Sequence, residues 1–376
     1  MARVVVTTIR RHSPPSEPSG YVYTVDVDAA KVTGRCPILE PPFVHEDPNP
    51  RGGLRGAKGL AVSGDQLFLA NHSAVFRFSA GWELEQTISH PSCAHIHEIL
   101  TRDDTLYVTS TRNDLLIAFD AQGRIEQHWN VRAMTDLLDA LDWHRENLLS
   151  PKAVLEGVTD FRDPRTHSFE TYDGAHLNSL CFLPNGHMLI SLGLLWTHAK
   201  AVAQRVKNRL QRVGLWEPVA GAAQLAKGAR RATDATPKDA GVLNPRCKSA
   251  IVCLQPDGPR RVALEVPGTS VPIHSLLVQD DGTVLFADTN SGELVLFAPD
   301  SGAEIARMKL TNAYLRGLTR LRNGILVAGS QNELCLFDSA VRRVRKRIPL
   351  SGNPNESVFD VKELPKVFKP MPESLR

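Results

Sequence analysis

The chain has 376 residues, of which 42% are hydrophobic and 23% charged, and 44 Lys and Arg oppose 41 Asp and Glu for a net charge of +3. This composition is typical of a globular protein with many turns, and it excludes a disordered or fibrous chain. No window approaches the roughly 18 uncharged apolar residues of a membrane span, and no signal peptide is visible, so we expect no transmembrane segment.

The cysteines indicate a reducing compartment. The six are scattered along the chain, and no C-x-x-C pair suggests a structural zinc or a redox motif. We therefore expect a cytoplasmic protein with reduced thiols.

One phrase recurs five times along the chain. It consists of a polar residue, an alternating apolar stretch, a tight turn, a second apolar stretch, a polar turn and a third apolar stretch. The copies begin at Lys58, His97, Asn178, His274 and Arg316. Each runs into a dipeptide typical of a two-residue hairpin loop. These dipeptides are Gly64-Asp65, Asp103-Asp104, Asn185-Gly186, Asp281-Gly282 and Asn323-Gly324.

A weaker fourth strand follows each third one, and four antiparallel strands in about 40 residues are typical of a propeller blade. The two ends of the chain supply a sixth unit. Residues 357–361 predict its innermost strand, and residues 3–8, 20–27 and 32–39 predict the other three. We therefore predict an all-β fold, a six-bladed β-propeller forming one domain over residues 1–376 and closed by strands from both termini.

Two partly helical insertions interrupt the repeat and are predicted to lie on the top face. Residues 130–175 separate blades 2 and 3, with a helical pattern over Met134 to Leu149 that starts at Thr135. Residues 194–248 lie within blade 3. From Lys200 to Lys248 they carry 11 Lys and Arg against three acidic residues, a local balance of +8.

The charge of the second insertion has two interpretations. It could form a basic surface for an acidic protein partner through residues 200–248, for nucleic acid or for an anionic membrane, of which nucleic acid is the least favoured. A soluble lid or loop explains the same composition, and we favour that explanation.

Alignment of the repeats predicts which residues line the central channel. The innermost strand of each blade lines the channel, so the five copies place Lys58, His97, Asn178, His274 and Arg316 at one level. Two positions earlier lie Gly56, His95, His176, Pro272 and Tyr314. Four histidines are thus expected at the top mouth of the ring, with Arg112 on its rim.

Three chemical roles fit this set. His97, His176 and His274 can bind Zn²⁺, Fe or another divalent ion and leave positions open, as catalytic sites do. In that case His95 and Tyr314 are candidate catalytic residues, while Lys58, Arg112, Asn178 and Arg316 would bind a small anionic substrate. Alternatively the same residues form a metal-free anion pocket with a catalytic histidine, or a hydrogen-bonded polar plug without catalysis.

Short phrases in the chain also resemble known propellers. At the channel residues given above, the chain resembles the class of six-bladed propellers that includes the NHL-repeat and SMP-30/gluconolactonase-like proteins. His176-Leu177-Asn178, Ser291-Gly292-Glu293-Leu294 and Arg316-Gly317-Leu318 are similar to the H-L-N, S-G-x-L and R-G-L phrases of an uncharacterised bacterial propeller family. That family's P-H-S phrase appears here as Pro272-Ile273-His274-Ser275.

The resemblance implies the six-bladed fold and brings no established reaction. SMP-30-like lactonases hold their metal with carboxylates and Asn, whereas this chain offers His, Lys and Arg, so a lactonase is disfavoured. The three histidines are similar, in ligand type only, to the zinc site of the peptidyl-amidoglycolate lyase propeller. We therefore expect a metal-dependent enzyme with lyase- or hydrolase-type chemistry on a small anion, or alternatively a non-catalytic ligand-binding or protein-interaction scaffold.

Overall fold

The fold is described from a computed structural model, which covers residues 2–14, 16–46, 56–143, 148–167, 174–196, 247–255, 258–269, 271–338 and 343–375. Over these residues the chain forms six antiparallel sheets of four strands each. The prediction of an all-β, six-bladed propeller is confirmed. The alternation of apolar residues within each short run explains the strands, because it gives every sheet two faces that pack on neighbouring blades.

The strands of the first three blades follow one another along the chain. They are β4 (Leu60–Ser63), β5 (Gln66–Ala70), β6 (Ala74–Phe78), β7 (Leu84–Ser89), β8 (Ile96–Arg102), β9 (Thr105–Ser110), β10 (Leu115–Phe119), β11 (Ile125–Asn130), β12 (Leu177–Phe182), β13 (Met188–Trp196), β14 (Cys247–Leu254) and β15 (Arg261–Pro267).

The remaining strands form blades 4, 5 and 6. They are β16 (His274–Val278), β17 (Val284–Asp288), β18 (Glu293–Ala298), β19 (Ala303–Lys309), β20 (Leu315–Arg320), β21 (Leu326–Ser330), β22 (Glu333–Asp338) and β23 (Arg343–Pro349), with β1 (Arg3–Arg10), β2 (Tyr21–Asp26), β3 (Lys31–Pro37) and β24 (Glu356–Glu363) in blade 6.

Blade 6 joins the two ends of the chain as predicted. Its strand order is β24, β1, β2, β3, so the last strand is innermost and pairs antiparallel with the first, with Thr7 opposite Asp360. The innermost strands β4, β8, β12, β16, β20 and β24 each contact the next and close the ring. Six apolar clusters fill the spaces between neighbouring blades.

The hairpin prediction is right for two blades and wrong for three. In blades 1 and 2 the loop has two residues, and Asp103 and Asp104 both have positive φ. In blades 3 to 5 the loop has three residues. The Asn or Asp side chain in it accepts a hydrogen bond from the amide two positions later and stabilises the turn. The glycine that follows takes the left-handed position that ends such a loop.

Side chains one position past the aligned channel level join neighbouring blades. Each accepts a hydrogen bond from a backbone amide of the next innermost strand, and such bonds hold four of the six blade junctions. The pairs are Glu98 with Leu180 (3.3 Å), Ser179 with Ser275 (2.7 Å), Ser275 with Gly317 (3.0 Å) and Asp360 with Leu60 (2.8 Å).

The first insertion contains two short helices instead of the single helical stretch expected over Met134 to Leu149. Helix α1 (Thr135–Ala140) begins at the predicted residue but ends early, and helix α2 (Pro151–Glu156) follows, capped by Ser150. Pro151 suits the first turn of a new helix, because it lacks the amide that an interior position would need. Among the described residues no helix is long and apolar enough to span a bilayer.

Residues 197–246, which make up most of the second insertion, lie outside the described residues. Its basic surface, its lid role and its acidic partner therefore stay predictions, as does the division of the chain into one domain with two insertions.

Candidate functional site

The innermost strands break register at the predicted level of the site. Pairing slips between Ile96 and Ile99, between Leu177 and Ser179, and at the corresponding positions of β16, β20 and β24. A β-bulge of this kind turns consecutive side chains out of strict alternation. Residues at the aligned level and two positions earlier are thereby brought together at the top mouth.

Backbone strain accompanies the bulges two positions before the aligned level. Gly56, His95 and His176 occupy this position in the first three blades, and all have positive φ, of 90°, 56° and 53°. Glycine adopts this conformation at little cost, but histidine does so only when its surroundings impose it. Strain of this kind is concentrated at functional sites in proteins, which makes His95 and His176 stronger candidates.

Three histidines from three blades converge. The ligand nitrogens of His97, His176 and His274 all lie within 4.8 Å of one another. The rings of His97 and His176 are 4.8 Å apart between centroids, and those of His97 and His274 are 6.2 Å apart and nearly parallel. His97 and His274 are buried, while His176 is half-buried, so the cluster is reached from the His176 side.

The tautomer of His97 follows from its hydrogen bonds. Its Nδ1 lies 2.9 Å from the carbonyl oxygen of His95 and 2.9 Å from the hydroxyl oxygen of Thr111. A carbonyl oxygen only accepts, and the Thr111 hydroxyl donates its own proton to the carbonyl of Leu177 at 2.5 Å. Nδ1 must therefore carry the proton, which leaves the Nε2 lone pair of His97 available.

His274 repeats this arrangement two blades away. Its Nδ1 lies 2.8 Å from the hydroxyl oxygen of Thr289, which donates to the carbonyl of Leu315 at 2.8 Å, and it also bonds the backbone of Pro272. Nε2 again carries the lone pair, and it has no hydrogen-bond partner in the part of the chain that the structure describes. Metal-binding histidines in proteins are held in the same way, by an acceptor on the nitrogen that does not bind the metal.

Three histidines of the top mouth are neutral at physiological pH. Burial, followed by the charge of Arg316, holds the pKa of both His97 and His274 well below its usual range. Burial, followed by the charges of Lys58 and Arg112, does the same for the pKa of His95. Neutral imidazole is the form that binds metal ions or acts as a base.

Two of the predicted cations gather at one aromatic ring. The guanidinium carbon of Arg316 lies 3.3 Å from the ring centroid of Phe359, and the ammonium nitrogen of Lys58 lies 4.8 Å from it. Phe359 also faces His97 at 5.5 Å. These cation–π contacts support two positive charges inside the channel.

Phe359 was not among the residues predicted from the sequence. It occupies the aligned level in β24, as the sixth member of the set that includes Lys58 and Arg316, so the same alignment extended to residues 357–361 would have found it. Arg11 was missed as well. Its guanidinium lies 6.0 Å from the ring of Tyr314, and its charge lowers the pKa of His274.

The remaining predicted residues divide into two groups. Tyr314 lies 6.0 Å from His274 between ring centroids and bonds Arg316, and Arg112 is close enough to His95 to lower its pKa, so both belong to the top mouth. Asn178 does not. Its side-chain amide donates to the carbonyl of Ile273 and accepts from Ser191, which makes it a connection between blades 3 and 4.

Comparison with known proteins supports the fold alone. No family model and no curated protein matches the chain, so its resemblance to particular propeller families stays a prediction. A protein of unknown function from Bacteroides caccae is 9% identical with a TM-score of 0.52 over 96% of this chain and 98% of that one. A chain of a nidogen/laminin complex is also 9% identical, with a TM-score of 0.52 over 95% and 97%.

A virginiamycin B lyase from Staphylococcus aureus is 11% identical, with a TM-score of 0.42 over 80% of this chain and 71% of that one. A likeness at that score carries no argument about function.

Proposed function

We propose that His97, His176 and His274 bind one divalent metal ion, with zinc or iron the best fit, and that the protein is an enzyme acting on a small anion held beside it. The observation that carries the proposal is the shared tautomer of His97 and His274, whose Nδ1 protons are engaged and whose Nε2 atoms are free. Three neutral imidazoles suit a borderline divalent ion and leave coordination positions for water and substrate.

The charges around the histidines favour an anionic ligand. Arg316 and Lys58 lie at the same level of the channel, with Arg112 and Arg11 nearer the mouth. A metal ion surrounded only by neutral ligands and cations is stabilised when an anion completes the site. Carboxylate, phosphate and sulfate groups all meet this requirement.

The roles of the protein groups follow from their positions. A bound metal ion would supply Lewis acidity and a water of lowered pKa. Arg316 would bind and orient the anion, Tyr314 would supply a proton to a leaving group, and His95 would accept one, since burial keeps it neutral. This assignment fits lyase- or hydrolase-type chemistry.

Metal content tests the proposal directly. Untagged protein purified without chelator, measured by inductively coupled plasma mass spectrometry, is expected to hold about one metal ion per chain. Replacement of His97, His176 or His274 by Gln should remove it, and a visible spectrum of the cobalt-loaded protein should change accordingly. His187→Gln, at a hairpin turn on the opposite face, is the matched control and should keep the metal.

Absence of metal in the purified protein and after reloading would contradict the proposal. The same His, Arg and Lys groups would then form an anion pocket without metal, which binding of sulfate or phosphate to the wild type but not to Arg316→Met would identify.

A further inference from the structure

A cavity of about 420 Å³ lies on the opposite half of the innermost strands, towards the hairpin turns. We name it the lower cavity. Its lining comes from all six blades and includes the apolar residues Leu60, Ile99, Leu180, Leu276 and Leu318. None of these residues belongs to the proposed metal site, and the volume is that of a small-molecule pocket.

The mouth of the lower cavity leaves apolar groups partly exposed to water. These half-buried residues come from four blades and are Val62, Leu100, Phe182, Leu277 and Val278. A cluster of exposed apolar side chains around a concavity is a feature of binding sites, because covering it removes apolar surface from water. The body of a ligand here would be apolar.

Lys362 and Glu98 provide the polar end of the lower cavity, and the third charged residue of its lining, Arg102, forms an ion pair with Asp103 at 3.3 Å. Among the described residues the ammonium of Lys362 donates one hydrogen bond, to Asp360 at 3.0 Å, and its side chain is 28% exposed. An ammonium has three donors, so two remain for a ligand. Glu98 is buried, and among the described residues its carboxylate accepts one side-chain hydrogen bond, from the amide of Leu180 at 3.3 Å. One further oxygen can therefore accept from a ligand.

The charges at this end already compensate one another. Glu98 and Asp360 interact with Lys362 and Arg316, so the charged groups at this end already have partners of opposite sign. Burial, followed by the charge of Asp360, raises the pKa of Glu98 to about 7, and its carboxyl group offers an acceptor oxygen in either protonation state. Asp360 already accepts three hydrogen bonds among the described residues, because it also accepts from the amides of Leu60 and Val361. An additional unmatched charge would be costly in this buried environment. A neutral head group that accepts from Lys362 and donates to Glu98 satisfies both.

We propose that the lower cavity is a second binding site, which takes a neutral amphipathic small molecule with an aliphatic body and a hydroxyl or primary carboxamide head. The head group bonds Lys362 and Glu98, and the body packs against the leucines of the walls. The site is separate from the histidine cluster and requires no metal.

Isothermal titration calorimetry on the full-length protein tests the proposal with three ligands of equal chain length. Octanamide is expected to bind at least about tenfold more tightly than octanoate, which only accepts, or octylammonium, which only donates. Lys362→Met should weaken octanamide binding about tenfold, whereas Lys366→Met, the same change on the exposed exterior, should leave it unchanged.

A second variant keeps the proposal testable if Lys362→Met does not fold. Leu276→Trp fills the cavity without changing its charge and should also abolish binding, while His97→Gln should retain it, since the two sites are independent. The proposal would be overturned if octanamide did not bind, if all three ligands bound equally, or if the charged ligands bound more tightly. Normal octanamide binding by folded Lys362→Met or Leu276→Trp protein would overturn it too.

Discussion

The rings of His97 and His274 are held by matching acceptors in blades 2 and 4. In each case a threonine hydroxyl, from Thr111 or Thr289, donates a hydrogen bond to a backbone carbonyl of the next blade. The same hydroxyl oxygen accepts a hydrogen bond from Nδ1 of the histidine. The position that supplies this hydroxyl directly follows the second strand of its blade. Two unrelated contacts would not repeat in this way, so the orientation of the imidazoles is a property of the repeat.

Replacement of Thr289 by Val tests this role at the residue scale. Valine keeps the shape of threonine but offers no acceptor, so the Nδ1–H tautomer of His274 should lose part of its preference. We expect about 10- to 100-fold weaker binding of Zn²⁺, measured by competition with a chromophoric chelator. The nitrogen chemical shifts of His274 in the metal-free protein should also move towards the other tautomer.

Thr289→Ser serves as the control, because it retains the hydroxyl. An unchanged Kd for Zn²⁺ in Thr289→Val, together with unchanged nitrogen shifts, would contradict the role assigned to Thr289.

Neighbouring innermost strands approach one another at two kinds of contact. Where the residue that follows the aligned channel position is Glu, Ser or Asp, its side chain accepts a hydrogen bond from a backbone amide of the next blade. Where it is glycine, backbone packs directly on backbone. A Cβ added to Gly59 would lie 2.8 Å from both the carbonyl oxygen of His97 and the amide nitrogen of Ile99.

Gly59→Ala should therefore separate blades 1 and 2. We expect a loss of about 2 to 3 kcal/mol in the free energy of unfolding, because backbone atoms cannot move aside as a flexible side chain can. Chemical denaturation measures the loss. Gly352→Ala is the matched control, since a Cβ there meets nothing within 4 Å, and it should change stability by less than about 0.5 kcal/mol. Equal stability of the two variants would be inconsistent with the close approach.

The sequence predicted the blades correctly but not all of the loops and helices. Apolar alternation and turn residues located all six blades, because strand formation depends on short-range pattern. The loop length in blades 3 to 5 was wrong, since Asn185-Gly186 suits both a two-residue loop and the end of a three-residue loop, and the Asn185 side chain decides between them. The helical stretch in the first insertion was also overextended, because apolar spacing continues past the point where α1 ends.

Closure of the ring joins residues more than 300 positions apart. Glu356, at the start of the last strand, accepts hydrogen bonds from the hydroxyls of Thr8 (2.7 Å) and Tyr23 (2.6 Å) through one oxygen. All three residues are nearly inaccessible to water. This network therefore links β24, β1 and β2, the three strands on which closure depends.

Tyr23→Phe tests this link through the pH dependence of stability. Burial, followed by its bond to Glu356, raises the pKa of Tyr23 above its usual range. At neutral pH the variant should lose about 1.5 to 3 kcal/mol of unfolding free energy, the contribution of a hydrogen bond to a charged group. Above about pH 10 the unfolded state of the wild type releases this proton while the folded state retains it, so wild-type stability should fall as pH rises.

The stability difference between wild type and Tyr23→Phe should therefore shrink above pH 10, as measured by urea unfolding at several pH values. Tyr21→Phe, on the same strand, should keep the full wild-type decline. Parallel pH profiles for wild type and Tyr23→Phe would contradict the assignment.

The sequence by itself determined the number of blades, the closure by both termini and the mouth of the channel at which His97, His176 and His274 meet. These features follow from the alternation of apolar residues within each strand and from the repeated phrase. Because the phrase repeats, residues at the same position of each copy occupy equivalent positions in their blades. The same alignment, extended to residues 357–361, also places Phe359 at the level of His97.

Only the tertiary structure decided which of the aligned residues serve the site. Asn178 shares the level of His97 but bonds Ile273 of the next blade, and Arg11 comes from outside the repeat to reach Tyr314. The tautomers, the bulges that gather the histidines and the lower cavity all depend on how neighbouring blades pack. Contacts between blades join residues far apart in sequence, and no local pattern records them.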